Sequence, residues 1–101
     1  MRIIELNAGG WLTPLDFLNA VGRATGAPEG HSSDAGAIVN TMSRGLNSVE
    51  PPYTIRIAGT TKLPSAVRKE IEALAQIIKD ARLWRANHRH DDIEVVIEIT
   101  P

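Results

Sequence analysis

The sequence contains no cysteine, and it has no long run of apolar residues. The first absence excludes disulfide bonds, thiolate zinc sites and thiol nucleophiles, and it suits a reducing compartment. The second absence argues against a membrane-spanning helix, which needs roughly 18 consecutive apolar residues. The first apolar stretch carries Glu5 and is shorter than the hydrophobic region of a signal peptide. We therefore expect a cytoplasmic protein.

Aromatic residues and net charge are also scarce. Aromatic side chains make up 4% of the 101 residues, and 11 basic residues against 12 acidic ones leave a net charge of −1. Because the two signs are interleaved and few rings are available to stack on bases, neither nucleic acid nor an anionic membrane is an expected partner. The length suits one domain burying roughly 65% of its unfolded surface. We predict a single domain over residues 1–101.

One strand and one helix are predicted before residue 30. Arg2–Leu6 is short and rich in isoleucine, which is typical of a strand. The sequence Thr13-Pro14-Leu15-Asp16 predicts a helix start, because threonine caps free N–H groups and proline suits the first turn. Gly26 and Pro28 end this helix. Its apolar side consists of Leu15, Leu18 and Val21.

A second helix is predicted to begin at Ser33-Asp34, with Ser33 as its cap, and to end before Gly45. Its apolar side consists of Ala37, Ile38, Thr41 and Met42.

The second half of the chain predicts a strand, a long helix and a final strand. The strand over residues 53–58 follows Pro51-Pro52 and ends at Gly59. The helix begins at Pro64 and runs to about Leu83. Its apolar face consists of Val67, Ile71, Leu74, Ile78 and Ala81. Arg68 and Glu72, four residues apart, form an exposed pair of opposite charge. Trp84 is expected to pack against the end of this helix. A polar loop over residues 87–91 leads into the last strand, Ile93–Ile99.

Both later strands alternate between apolar and polar side chains. One face is expected to be buried beneath the helices: Tyr53, Ile55, Ile57, Ile93, Val95 and Ile97. A strand covered on both faces would be apolar throughout, whereas Arg56, Glu94 and Glu98 need water or one another. We therefore predict an α/β fold with the order β-α-α-β-α-β. Its form is a two-layer sandwich of a three-stranded parallel sheet with all helices on one face.

The sequence His88-Arg89-His90-Asp91-Asp92 has side chains that could bind a divalent metal. A solvated loop is the favoured interpretation, because Arg89 repels cations and a metal site needs ligands that converge in space. We predict no metal and no cofactor.

His31-Ser32-Ser33-Asp34 contains the residue types of a serine hydrolase, but four adjacent residues rarely converge as a triad does. Helix capping by Ser33 and Asp34 is favoured there. We predict no catalytic residue, so that a binding protein is favoured over an enzyme.

One central segment carries a family resemblance. It begins Gly26-Ala27-Pro28-Glu29, continues from Ser33-Asp34-Ala35 to Asn40-Thr41-Met42, and ends Val49-Glu50-Pro51-Pro52-Tyr53. With the order of elements over residues 2–99, this segment resembles the barstar family, small inhibitors of barnase-type ribonucleases. Proline ends the first helix in that family, a short loop precedes the second helix, and proline precedes the second strand.

The resemblance implies a barstar-like fold and a protein partner, a ribonuclease whose active site the loop and second helix occlude. Such inhibitors present carboxylates to a basic cleft. The positions implied to contact the partner are Glu29, Gly30, His31, Asp34, Gly36 and Asn40. Gly36 and Asn40 stand where the family has its two key aspartates, and an amide lacks the charge-assisted hydrogen bonds of a carboxylate.

The resemblance thus implies a ribonuclease inhibitor, also called an immunity protein when it protects the cell that makes the nuclease. Two alternatives to this function remain open. One is a diverged interaction module whose partner is not a nuclease. The other is a small metal- or ligand-dependent enzyme that uses His31, His88 or His90.

Overall fold

A computed structural model describes residues 2–28, 30 and 34–101. The described elements, in chain order, are β1 (Arg2–Asn7), α1 (Pro14–Thr25), α2 (Ala35–Ser43), β2 (Tyr53–Ala58), α3 (Ser65–His88) and β3 (Val95–Ile99). A single 3₁₀ turn, Ala8–Gly10, lies between β1 and α1. The predicted order β-α-α-β-α-β is confirmed.

The three strands form one parallel sheet in the order β1-β2-β3. Parallel neighbours need long crossovers, which α1 with α2 and then α3 supply. Right-handed crossovers that step the same way across a sheet place their helices on one face. The strand side chains that are fully buried accordingly share one face of the sheet: Tyr53, Ile55, Ile57 and Val95. The mixed α/β fold with a parallel sheet is therefore confirmed.

The core lies between this face of the sheet and the three helices. Its largest fully buried side chains include Tyr53, Phe17, Ile38, Ile55, Ile57, Ile71 and Leu74. The predicted stripe of α3 is confirmed, with Val67, Ile71, Leu74 and Ile78 buried and Ala81 partly buried. The stripe of α1 is rotated from the prediction, because Phe17 is buried whereas Leu15 is 49% exposed.

The other face of the sheet is open and carries a row of charges. Arg56 in β2 lies beside Glu5 in β1 and Glu98 in β3, and its guanidinium is 3.5 Å from Glu5 Oε1 and 3.3 Å from Glu98 Oε1. The predicted polar face is therefore present for Arg56 and Glu98, whereas Glu94 lies before β3 and not in it. Thr54 on the same face is nevertheless buried, since it belongs to the central strand and lies between Ile3 and Val96.

The end of α3 and the start of β3 differ from the prediction. The helix continues to His88, past Leu83, and the strand begins at Val95 rather than Ile93. Glu94 has a left-handed backbone with φ of 54°, which interrupts the extended conformation before β3. Ile93 is buried as expected, but it lies outside the strand.

Local signals at the helix ends are confirmed in most cases. Thr13 Oγ1 accepts a hydrogen bond from Asp16 N, and Asp16 Oδ2 accepts from Thr13 N, which completes a capping box. After α2, Gly45 is left-handed, its N–H donates to Met42 O, and the next N–H donates to Thr41 O. These bonds form the Schellman motif that ends many helices at glycine.

Candidate partner-binding face

Helix α2 has one buried side and one exposed side. Its buried residues are Ala35, Ile38, Val39, Thr41 and Met42. Gly36 and Asn40 are exposed, and Arg44, which caps the carboxyl end of the helix, is exposed as well. Residues four apart lie one above the other on a helix, so these three form a line along the solvent side. We call Asp34, Gly36, Asn40 and Arg44 the α2 face.

Asp34 lies at the amino end of the α2 face. Its Oδ1 accepts a hydrogen bond of 2.8 Å from Ala37 N, so Asp34 is the cap of α2. The cap predicted at Ser33 lies outside the described residues. A carboxylate at this place also interacts favourably with the helix dipole. The exposed carboxylate of the α2 face is therefore held at the start of the helix, not in its middle.

Gly36 keeps the first turn of α2 flat. A Cβ atom built on Gly36 would lie 3.2 Å from Asp34 Oδ1, which is a tight contact. A side chain at Gly36 would therefore press on the cap, whereas glycine leaves the backbone open to solvent. Gly30, before the helix, is exposed and left-handed with φ of 82°. Glu29 and His31, the other two predicted contact residues, lie outside the described residues.

Arg44 is a charged member of the α2 face that the sequence reasoning missed. Its N–H donates to Asn40 O at 3.1 Å, so it ends the helix directly beyond Asn40. Arg44 lies four residues after Asn40, and this spacing could have placed it on the same side of the helix. Arg44 opposes Asp34 in sign, so the α2 face is acidic at one end and basic at the other.

The carboxyl end of α2 is anchored to α3 through Arg85. Arg85 Nη1 donates to Ser43 O at 2.6 Å, while its Nε and Nη2 donate to both carboxylate oxygens of Asp91 at 2.8 and 2.9 Å. This bond from Arg85 lowers the pKa of the Asp91 carboxyl below its ordinary 3.8. One guanidinium thus links α2, α3 and the segment before β3.

A similar pairing involves the second aspartate of residues 88–92, the sequence whose side chains could bind a divalent metal. Arg82 Nε and Nη2 donate to Asp92 at 2.9 and 2.8 Å, so both aspartates of the sequence 88–92 contact arginine. His88 instead stacks on Trp84, with ring centres 4.7 Å apart. The expectation that Trp84 packs against the end of α3 is wrong, because its side chain is 53% exposed. Among the described residues, no three acidic, histidine or cysteine side chains form a group suited to a metal ion.

Comparisons with known proteins returned no relative. No family model matches the chain, and neither the curated proteins nor the solved structures contain a match. In the described part of the chain, no helix is long and apolar enough to cross a lipid bilayer.

Proposed function

We propose that this chain is a protein-binding domain without catalytic activity, and that its contact surface is the α2 face. The observation that carries the proposal is the two-sided character of α2. Five of its nine residues are anchored in the core, whereas Gly36 and Asn40 present a flat polar strip to solvent. A short helix fixed on one side and flat on the other suits insertion into a cleft of another protein.

The resemblance to barstar supplies the proposed partner, a barnase-type ribonuclease whose active site the α2 face occludes. The order of elements and the position of Pro28 between α1 and α2 support this interpretation. An inhibitor of this kind works by placing carboxylates among arginine and lysine side chains of the nuclease. On the α2 face, Asp34 is the acidic member, and it also caps the helix.

The charges of the α2 face set the expected strength of such a complex. Asn40 offers an amide in the middle of the strip, and Arg44 would repel a basic cleft. We therefore expect binding much weaker than that of an inhibitor with aspartates at these positions. Close charge pairs in the barnase–barstar complex itself couple by about 1.5–7 kcal/mol, so restoring one carboxylate is expected to have a measurable effect.

The test is a calorimetric titration of a barnase-type ribonuclease with the chain and with two charge variants. Asn40→Asp is expected to tighten binding by at least about tenfold, because about 1.4 kcal/mol is a factor of ten. Arg44→Gln is expected to tighten it less, since Arg44 lies at the rim. Asn87→Asp on the solvent side of α3 makes the same chemical change elsewhere and serves as the control.

Two results would contradict the proposal. If the chain and Asn40→Asp both fail to bind the ribonuclease, the partner is not of this class. If Asn87→Asp tightens binding as much as Asn40→Asp, general charge explains the gain and the α2 face is not the contact surface.

A further inference from the structure

The outer edge of β3 presents backbone groups that face away from the sheet. β3 is an outer strand that pairs with β2 on one side. Thr100 N donates to Ile57 O at 2.8 Å, which fixes the residues that bond to β2. Since alternate residues of a parallel strand bond to the same neighbour, the N–H and C=O groups of Val95, Ile97 and Ile99 point outward.

This edge has little protection. Arg82 Nη1 donates to Val95 O at 3.4 Å, a long bond that leaves the second lone pair of this oxygen available. The N–H and C=O groups of Ile97 and Ile99 have no such partner among the described residues. Ile99 is 46% exposed, and β3 contains neither lysine nor proline. Natural sheets use such residues to block their edges, because an open edge pairs with other strands.

We propose that two copies of this chain associate through their β3 edges, in antiparallel pairing about a two-fold axis at Ile97. Ile97 then lies opposite itself, and Val95 lies opposite Ile99 of the second copy. The outward N–H and C=O groups exchange hydrogen bonds at these positions, so that the two sheets become one continuous sheet. The β3 edge contains no member of the α2 face, so this proposal does not depend on the proposed function.

The side chains of β3 agree with this register. On the helix side of the sheet, the half-exposed Ile99 lies against Val95 of the second copy. On the open side, Val96 lies opposite Glu98, so the two Glu98 carboxylates do not face each other. Each Glu98 keeps its own partner, Arg56, at 3.3 Å. Like charges therefore stay apart across the strand pair, as stable pairing requires.

Helix α3 supplies the charge complementarity that favours a second copy as the occupant. Ala75 and Lys79 line a groove of about 190 Å³ together with Ile97. Glu72 lies two turns before Lys79 on the same side of the helix, and both residues are exposed. A two-fold axis at Ile97 places the two α3 helices antiparallel around Ala75. Glu72 of each copy then lies near Lys79 of the other copy. The net charge of −1 adds little repulsion between copies.

The first experiment is sedimentation equilibrium of the whole chain at concentrations from micromolar to millimolar. The average mass is expected to rise with concentration from the chain mass of 11.0 kDa toward twice this value. A mass that stays at the monomer value throughout would overturn the proposal and leave the β3 edge to a strand of another protein.

Amide hydrogen exchange locates the interface. The N–H groups of Ile97 and Ile99 are expected to exchange more slowly in a concentrated sample than in a dilute one, because pairing gives them acceptors. The N–H group of Glu5, which points away from β2 at the opposite edge of the sheet, is expected to exchange equally in both samples. A dimer that leaves Ile97 and Ile99 unprotected uses another surface and would refute the pairing.

Two lysine variants form a matched pair, because Ile99 and Ile3 are each 46% exposed in an outer strand. Ile99→Lys places a charge against Val95 of the second copy and is expected to weaken dimerisation at least about tenfold. Ile3→Lys makes the same change in β1 and is expected to leave dimerisation unchanged. Equal weakening by both variants would contradict association through β3.

Charge reversal tests the contact between the two α3 helices. Glu72→Lys and Lys79→Glu each bring like charges together and are expected to weaken dimerisation about threefold to tenfold. The double variant restores opposite charges in reversed order and is expected to recover most of the loss. Losses that simply add in the double variant would show that Glu72 and Lys79 do not face each other, and the antiparallel arrangement would then be wrong.

Discussion

The junction between the end of α1 and the segment before β2 offers a sharp test of the packing. Gly26 has a left-handed φ of 70°, and a Cβ atom built there would overlap Ser48 Oγ and lie 3.0 Å from Ser48 N. Ser48 N donates to Gly26 O at 2.9 Å, and Val49 N donates to Thr25 O at 3.1 Å. Gly26→Ala must therefore push this segment away or break its hydrogen bonds.

The expected loss of unfolding free energy in Gly26→Ala has two contributions. A left-handed alanine costs about 1–2 kcal/mol relative to its preferred backbone. Weakening the two hydrogen bonds adds about 0.5–1.5 kcal/mol for each bond. We therefore expect Gly26→Ala to lower the free energy of unfolding by about 2–5 kcal/mol, a large part of the stability of a domain of this size.

Gly45→Ala separates the two contributions. Gly45 is also left-handed, with φ of 68°, but a Cβ atom there would meet no described atom within 4 Å. Its cost is expected to be the backbone contribution alone, about 1–2 kcal/mol. Urea denaturation of both variants measures the difference. Adding Ser48→Gly to Gly26→Ala removes the Oγ and Cβ contacts and is expected to recover part of the loss. Equal costs for Gly26→Ala and Gly45→Ala would refute the close approach of Ser48.

Three further predictions concern the sheet, the pH dependence and metals. Ile55→Ala is expected to lower the free energy of unfolding by about 2–5 kcal/mol, whereas Arg56→Leu on the open face is expected to change it by less than about 1 kcal/mol. Similar losses for both variants in urea denaturation would contradict a sheet covered on one face. The pKa of Asp91 is lowered in the folded state, so its stabilising effect is complete above its ordinary pKa of 3.8 and is lost as the pH falls through the folded value. Melting temperatures should therefore fall more steeply in acid for the parent chain than for Asp91→Asn, and identical slopes would argue against the pairing with Arg85. Micromolar zinc is expected to leave the melting temperature unchanged, because a ligand of the native state raises it; a rise of several degrees would favour the enzyme alternative through His88.

The elements with strong local signals could be predicted from the sequence. The start of α1 depends on Thr13, Pro14 and Asp16, which lie within one turn of each other. The end of α2 depends on Gly45, whose left-handed backbone is a property of a single residue. Such signals need no tertiary contact, so the order of elements follows from them.

The region around residues 83–95 could not be predicted in this way. The helix was expected to end near Leu83 and the polar sequence over residues 87–91 is typical of a loop, yet α3 continues to His88. The ion pairs of Arg82 with Asp92 and of Arg85 with Asp91 hold this region, and each connects residues whose proximity depends on the helix being formed. Thr54 is similarly buried by its position in the central strand, not by its own polarity.

The α2 face and the contacts of Asn47 show the same difference. The exposure of Gly36 and Asn40 follows from the helical period of the apolar residues around them, whereas their place in a contact surface was implied by the barstar resemblance, and Arg44 was missed. The burial of Asn47 depends on the tertiary structure, because its side-chain amide donates to Thr25 Oγ1 at the end of α1. Periodicity reports which side of an element faces solvent, whereas a hydrogen bond between residues 22 positions apart depends on how two elements dock.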